Sequence, residues 1–225
     1  MPGRRTPLVN GEIYHIVNRG ITSQIIFSNK NYDRALETIF YYQSKTTPLR
    51  YSYFIRLPKT HRWEILDQLR REHDYLAEII AYCLMPTHFH LLLKQQVDNG
   101  ISRFMNKFSN SYTRYFNVKN KRLGPIFQGR FKSVRVESEQ QLLHVSRYIH
   151  LNPYSSGIVK SLNDLRQYPH SSLAEYLGLA NHSFCQKDVV LDYFKKPGSY
   201  QEFVFNQADY QRELEVIKHV ILETE

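Results

Sequence analysis

The alternation of apolar and polar positions predicts four main strands. The predicted strands cover residues 12–18, 78–84, 88–93 and 126–136. The second and third are separated only by the turn Met85-Pro86-Thr87, so they are expected to form a hairpin. In the first strand, Ile13, His15 and Val17 share one face, because alternate residues of a strand point to the same side.

Apolar positions at helical spacing predict four longer helices. These cover residues 32–43, 63–76, 101–116 and 139–152. Pro153 is expected to end the last helix, because proline has no N–H for the helical ladder and restricts the residue before it. Residues 51–55 could be a strand, but the polar residues after them interrupt it, and we interpret residues 50–76 as an insertion.

The order strand, helix, hairpin, helix, strand, helix is typical of the α+β class. It predicts a ferredoxin-like, antiparallel or mixed sheet with helices on one face. Short helical turns follow over residues 162–179.

The pattern changes beyond Ala180. Short helices are predicted over residues 188–194 and 200–205, followed by a polar tail over residues 206–225. We therefore predict a main domain over residues 1–179 and a helical C-terminal appendage over residues 180–225.

Composition and charge indicate a basic protein with a packed core. A chain of 225 residues with 42% hydrophobic content fits one domain with an appendage. The net charge of +9 suggests a polyanionic partner, most simply nucleic acid. Aromatic residues beside cations, as in Arg114-Tyr115-Phe116 and Arg130-Phe131-Lys132, suit phosphate contact with base stacking, or equally an aromatic core with a wet rim.

Cysteine content and hydropathy exclude some classes of protein. The two cysteines, Cys83 and Cys185, form neither a zinc pattern nor a disulfide framework, which fits a reducing, cytoplasmic location. No apolar run reaches the roughly 18 residues that a membrane span requires, so no membrane partner is expected. The basic N-terminus is not followed by a hydrophobic signal region.

His88 and His90 stand two residues apart in the predicted hairpin, with Phe89 between them. In a strand both imidazoles face the same side, which is a plausible half of a metal site. One core histidine and one hydrogen-bonded histidine on a sheet face would explain the pair equally well.

The predicted helix over residues 139–152 carries three polar residues spaced four apart, namely His144, Tyr148 and Asn152. Residues at this spacing share a helix face. A tyrosine on such a face is more often a core residue than a catalytic one, so the pattern alone is weak.

Taken together, four motifs resemble the single-tyrosine HUH transposases, and most closely their REP-associated tyrosine transposase branch. The resemblance extends from about Glu12 to Tyr176. The motifs are Leu84-Met85-Pro86-Thr87, His88-Phe89-His90, the segment from Gly124 to Lys132, and the segment from Tyr148 to Pro153.

The resemblance implies a ferredoxin-like or RRM-like sheet and an enzyme that nicks single-stranded DNA carrying a hairpin. Tyr148 would be the nucleophile and would form a 5′-phosphotyrosine, leaving a free 3′-OH. His88, His90 and Asn152 would bind a divalent metal, Mg²⁺ or Mn²⁺. The resemblance leaves monomer and homodimer open.

Other residues near these motifs compete for the same roles. Tyr115 is the main alternative nucleophile, and Tyr112 is expected to stack on the core or on DNA. Structural or surface roles are expected for His144 and His150. His15 could face the site or make a hydrogen bond within the sheet.

Basic residues around the presumed cleft are the candidate DNA contacts, although each alone is more commonly a solvated charge. They are Arg19, Arg114, Lys119, Lys121, Arg122, Arg130, Lys132 and Arg135. Two other functions remain open at this point. One is a hairpin-binding protein that does not cleave, and the other is an RRM-like RNA-binding module, which would not need the histidines and Tyr148 to converge.

Overall fold

A computed structural model describes residues 7–214 of the chain. Its centre is a four-stranded antiparallel sheet in the order β2-β3-β1-β4. This is the strand order of the ferredoxin-like layout, so the predicted fold class is confirmed. The strands are β1 (Ile13–Arg19), β2 (Ala77–Leu84), β3 (His88–Gln95) and β4 (Lys132–Val136).

Helices cover both faces of this sheet. On one face α4 packs Phe108 against Phe89 of β3, and α1 packs Phe40 against Tyr82 of β2. On the other face α5 packs against β2 and β3. The helices are α1 (Lys30–Tyr42), α2 (Tyr51–Phe54), α3 (Lys59–Glu72), α4 (Gly100–Lys119), α5 (Glu139–Ser155), α6 (Leu162–Arg166), α7 (Leu173–Tyr176), α8 (Asp188–Leu191) and α9 (Ser199–Phe205).

The position of α5 differs from the prediction of helices on one face. The four strands with α1 and α4 follow that prediction, whereas α5 comes after the last strand and covers the opposite face. β2 is buried along its whole length because helices cover both of its sides. The helix that carries Tyr148 therefore lies on the face of the sheet opposite α1 and α4.

The structure also differs from the sequence prediction within three segments. Residues 51–55 do not form a strand: Tyr51 and Phe54, three apart, are buried on one side of the short helix α2. The strand predicted from residue 126 begins only at Lys132, because Gly129 has a φ of +58°, outside the extended region.

Pro153 does not end α5, which continues to Ser155. The missing N–H costs one hydrogen bond, and at the C-cap the Ser156 N–H donates to the Asn152 carbonyl at 3.0 Å.

The C-terminal segment packs against the main domain. The Gln186 N–H donates to the Ile79 carbonyl of β2 at 2.8 Å, and α8 and α9 contact α5. The predicted domain boundary at residue 180 stays a prediction, and residues 215–225 of the predicted tail lie outside the described residues. Both cysteines are free and buried. Among residues 7–214, no helix combines the length and the hydropathy needed to cross a membrane.

Candidate active site

The sheet brings three histidines to one face. His88 and His90 alternate with Phe89 on β3, so both imidazoles lie on the side opposite the α4 helix. Val17 of β1 is paired with His90, and His15 lies two residues before it on the same face. This diagonal relation lets His15 Nε2 and His90 Nδ1 approach to 3.0 Å.

Hydrogen bonds fix the orientation of the two β3 imidazoles. His90 Nδ1 is engaged by His15, while the buried His90 Nε2 has no hydrogen-bond partner among residues 7–214. His88 Nδ1 lies 3.0 Å from the Thr87 hydroxyl oxygen. Both histidines thus use Nδ1 for a hydrogen bond to the protein, which favours Nε2 as the ligand nitrogen of each.

The α5 helix brings Tyr148 and Asn152 to the same place. The ring centroid of Tyr148 lies 5.5 Å from that of His90 and 6.0 Å from that of His15, both in edge-to-face arrangements. Asn152, one helical turn later and buried, donates from Nδ2 to the Tyr148 carbonyl at 2.9 Å. The helix thus completes a cleft of about 710 Å³ that these residues share with His88.

The imidazoles at the base of this cleft are neutral near pH 7. Burial lowers the pKa of His15 to about 4. Burial, and to a smaller extent the neighbouring His88, His15 and Arg19, lower the pKa of His90 well below its usual range. A neutral imidazole keeps the lone pair that binds a cation, so the same burial that lowers these pKa values prepares a ligand.

The donor set is compatible with a divalent metal. The buried His90 Nε2 has no hydrogen-bond partner among residues 7–214, and His90 lines the cleft together with His88 and Asn152. No group of three or more His, Cys, Asp or Glu side chains within residues 7–214 is arranged to hold a metal ion. A protein-held ion here would therefore depend on two imidazoles and an amide oxygen.

The two competing tyrosines lie elsewhere. Tyr112 is buried under the sheet's other face and donates its hydroxyl to the Ile26 carbonyl at 2.6 Å. Tyr115 donates to Asn31 Oδ1 at 2.9 Å. Of the three tyrosines considered from the sequence, only Tyr148 adjoins the histidines.

The two histidines that flank Tyr148 point away from the cleft. His144 is exposed, with Nδ1 2.7 Å from Arg147 Nη2. His150 is fully buried between the hydroxyls of Tyr200 and Ser172, at 2.7 and 2.8 Å. These are surface and structural positions, respectively.

The eight predicted DNA contacts do not form a single patch. Arg19 and Lys132 line the histidine cleft. Arg135 is ion-paired with Glu12, with Nη2 2.6 Å from Oε1, and Arg122 donates to Gln24 Oε1 at 2.9 Å. The remaining four are exposed, and they are Arg114, Lys119, Lys121 and Arg130.

Sequence reasoning overlooked Thr87 as a partner of His88. Its position directly before the first histidine was visible, but only the turn geometry shows that its hydroxyl reaches His88 Nδ1. For His15, the alternation along β1 was the signal that placed it on the site's face.

One family of known proteins matches the part of the chain that contains the four site residues. Residues 45–152 match the family model described as IS200-like transposase, and this range contains His88, His90, Tyr148 and Asn152. A comparison with curated protein sequences gave no match.

A solved structure of a REP-associated tyrosine transposase bound to a REP hairpin has the same fold. It superposes with a TM-score of 0.56 at 16% identity, covering 83% of this chain and 98% of that one. The matched segment and the shared fold agree with the four motifs recognised in the sequence. Over residues 45–152, the chain is similar to the IS200-like transposases.

Proposed function

We propose that this protein is a transposase that nicks and transfers single-stranded DNA at a hairpin, with Tyr148 as the nucleophile and a divalent metal held by His88, His90 and Asn152. The observation that carries the proposal is the place of Tyr148. Its ring lies edge-on to His90, whose buried Nε2 has no hydrogen-bond partner within residues 7–214. The proposed nucleophile thus lies beside a proposed metal ligand in one cleft, which supports the proposal.

The chemical step exchanges one phosphodiester for another. The Tyr148 phenol oxygen attacks the scissile phosphorus and loses its proton to solvent, while the bond from phosphorus to the 3′ oxygen breaks. The leaving 3′ oxygen takes up a proton and becomes a 3′-OH, and the 5′ phosphate stays on Tyr148. Attack by the 3′-OH of another strand reverses these changes, so rejoining needs no nucleotide cofactor.

The residues around Tyr148 have separate roles in this step. His15 holds His90 through Nδ1, and Thr87 holds His88 in the same way, which keeps the imidazoles in one orientation. The Asn152 Nδ2 donates to the Tyr148 carbonyl, so its Oδ1 is the end that would act as a ligand. Arg19 and Lys132 line the cleft and add positive charge for the phosphate.

Mg²⁺ or Mn²⁺ is the cofactor that these donors fit, with imidazole favouring Mn²⁺ by ligand softness. When bound, the ion would supply positive charge that polarises the scissile phosphate.

Hairpin DNA is the proposed substrate for two reasons. The similar solved transposase is bound to a REP hairpin, and this chain has the same fold. Its net charge of +9 suits a polyanion. Non-cleaving hairpin binding remains as the outcome that the next experiment separates from catalysis.

The test is formation of a covalent protein–DNA adduct on a single-stranded oligonucleotide that carries a REP-type hairpin, with Mn²⁺ present. The wild type should form an adduct that resists denaturing electrophoresis, and Tyr148→Phe should form none because the phenol oxygen is gone. Tyr115→Phe removes the alternative nucleophile and should still form the adduct.

Two results contradict the proposal. An adduct that persists in Tyr148→Phe would reject this nucleophile. Hairpin binding by the wild type without any adduct, across Mg²⁺ and Mn²⁺, would favour the non-cleaving alternative.

A further inference from the structure

A second cleft lies in the helical layer, between α1, α2 and α4, and has a volume of about 1100 Å³. Its lining contains six cationic side chains and, among residues 7–214, no carboxylate. None of the six is ion-paired with a described residue. They are Arg34, Arg50, Arg56, Lys107, Arg114 and Lys119. We call this surface the basic cleft.

Arg34 is the fixed centre of the basic cleft. Its guanidinium lies over the ring of Tyr51 at 4.7 Å and over the ring of Tyr115 at 4.9 Å. Its Nε has no hydrogen-bond partner among residues 7–214. Both tyrosine rings are engaged by this cation, so the cleft offers charge for phosphates more than open platforms for bases.

Three of the other cations, Lys107, Arg114 and Lys119, lie on α4, and Arg50 and Arg56 flank α2. The Lys107 ammonium lies 5.8 Å from the ring centroid of Tyr42, and Lys119 donates to Asn31 Oδ1 at 2.6 Å. Burial and the charge of Arg103 lower the pKa of Lys107. The folded chain thus concentrates like charges here without an acidic partner among the lining residues.

The length of this row fits a polymer. Lys107 and Lys119 are twelve residues apart, which is about 18 Å along a helix. One strand of duplex DNA advances about 3.4 Å per phosphate, so this distance corresponds to roughly five phosphates. A mononucleotide would leave most of these cations without a partner.

The basic cleft and the candidate active site lie on opposite faces of the sheet. Phe89 points toward α4, and the neighbouring His90 points toward Tyr148 of α5. A phosphate in the basic cleft therefore cannot be the phosphate that Tyr148 attacks.

We propose that the basic cleft binds the sugar–phosphate backbone of the DNA substrate at a segment away from the scissile phosphate. This inference rests on the proposed function only for the identity of the polyanion. It assigns binding roles to Arg34, Arg50, Arg56 and Lys107, which the sequence did not single out.

The test compares two triple variants with the same change in net charge. The first replaces three exposed residues of the basic cleft, Arg50→Glu, Arg56→Glu and Arg114→Glu. The control replaces three exposed residues elsewhere, Arg71→Glu, Lys195→Glu and Lys196→Glu. Equilibrium binding of a fluorescent hairpin oligonucleotide with long flanks is measured by anisotropy, without metal, from low to moderate salt.

The first variant should bind at least about tenfold more weakly than the control. The slope of log affinity against log salt should fall by about 2 to 3, since each lost phosphate contact removes about 0.7 to 0.9. Hydroxyl-radical footprints should lose protection away from the cleaved phosphodiester. Should the glutamate variant unfold, the triple Arg→Gln variant should give the same fall in salt slope with a smaller loss of affinity.

Equal affinities and slopes for the two triple variants would overturn the proposal, as would loss of protection confined to the cleavage site. These readings need no covalent chemistry. If the wild type binds hairpin DNA without forming an adduct, and the basic-cleft variant still loses affinity and salt slope relative to the control, the basic cleft is supported and only the nicking function is rejected. A wild type that does not bind the hairpin rejects both.

Discussion

The two faces of the sheet differ in charge: one carries neutral, buried imidazoles and the other a cleft lined by cations. On the α5 face, burial keeps His15 and His90 neutral, so that lone pairs are available to a cation. On the α4 face, six cations line one cleft with no described carboxylate among them. A neutral, buried cluster suits bond chemistry, whereas an open cationic groove suits holding a polyanion.

This contrast follows from alternation in the strands. One residue step along β3 moves from Phe89, packed against Phe108, to His90, beside Tyr148. The same step on β1 separates Ile16 in the core from His15 at the site. The sheet therefore separates the two sites, and substitutions on one face should leave the function of the other face intact.

The variant His90→Ala is expected to have the largest effect on one site with the least effect on the other. Loss of a ligand nitrogen should reduce Mn²⁺-dependent adduct formation at least about a hundredfold, since a bound metal contributes several kcal/mol to such steps. Hairpin affinity measured in EDTA should stay within about threefold of the wild type, because most of the cations proposed to bind phosphates lie on the other face. Adduct formation and anisotropy, measured on the same preparations, give the two numbers.

The independence of the two sites would be contradicted if His90→Ala lost hairpin affinity in EDTA as strongly as the basic-cleft variant does. Gln95→Ala is unsuitable as a control because Gln95 is buried and hydrogen-bonded to the Leu8 carbonyl. Lys94→Ala, on the same strand, is the better control and should leave adduct formation unchanged.

A smaller effect is expected from His15, which would act on the proposed metal through its hydrogen bond to His90. His15→Leu removes the partner of His90 Nδ1 and should weaken Mn²⁺ binding about 10- to 100-fold, as loss of such partners typically does. His15→Gln can still accept a hydrogen bond and should recover part of that affinity. Calorimetric or EPR titration with Mn²⁺, without DNA, measures it.

A merely structural His15 would behave differently. Both variants would then lower the free energy of unfolding to a similar degree, and their Mn²⁺ affinities would equal that of the wild type.

The sequence predicted the candidate active site better than it predicted the basic cleft. Strand alternation and helical spacing are local, so His88 with His90 and Tyr148 with Asn152 could be paired from spacing alone. The two pairs meet because α5 covers the second face of the sheet. Local sequence patterns do not encode this position of α5. The family resemblance supplied that link.

The basic cleft could not be predicted from local sequence patterns, and the reason is physical. Its cations come from α1, from α4 and from Arg50 and Arg56, which flank α2. The sequence pattern around α2 is ambiguous between strand and helix. A tyrosine pair around Arg34 is formed by Tyr51 and Tyr115, more than sixty residues apart. Single exposed cations in a sequence do not reveal that they share one groove.

The smallest expected effect concerns how α5 is held, and it involves His150. Burial lowers its pKa to about 3, against about 6.5 when unfolded. Between these values the unfolded chain binds the proton and the folded chain does not, so stability falls as pH falls, by about 1.4 kcal/mol per pH unit for this group. The stabilising neutral state is fully present above about pH 6.5 and is lost progressively below it.

His150→Gln should therefore lower the free energy of unfolding at pH 7 by about 1 to 3 kcal/mol, because the hydrogen bonds to Tyr200 and Ser172 are disturbed. It should also reduce the loss of stability between pH 6.5 and pH 5 by up to about 2 kcal/mol. Urea unfolding at both pH values measures these quantities, with the exposed His144→Gln as the control on the same helix. Hydrogen exchange should accelerate in α5 and not in α4, since His150 lies on the active-site face. Equal acceleration in both helices would mean that the two faces are not independent in stability.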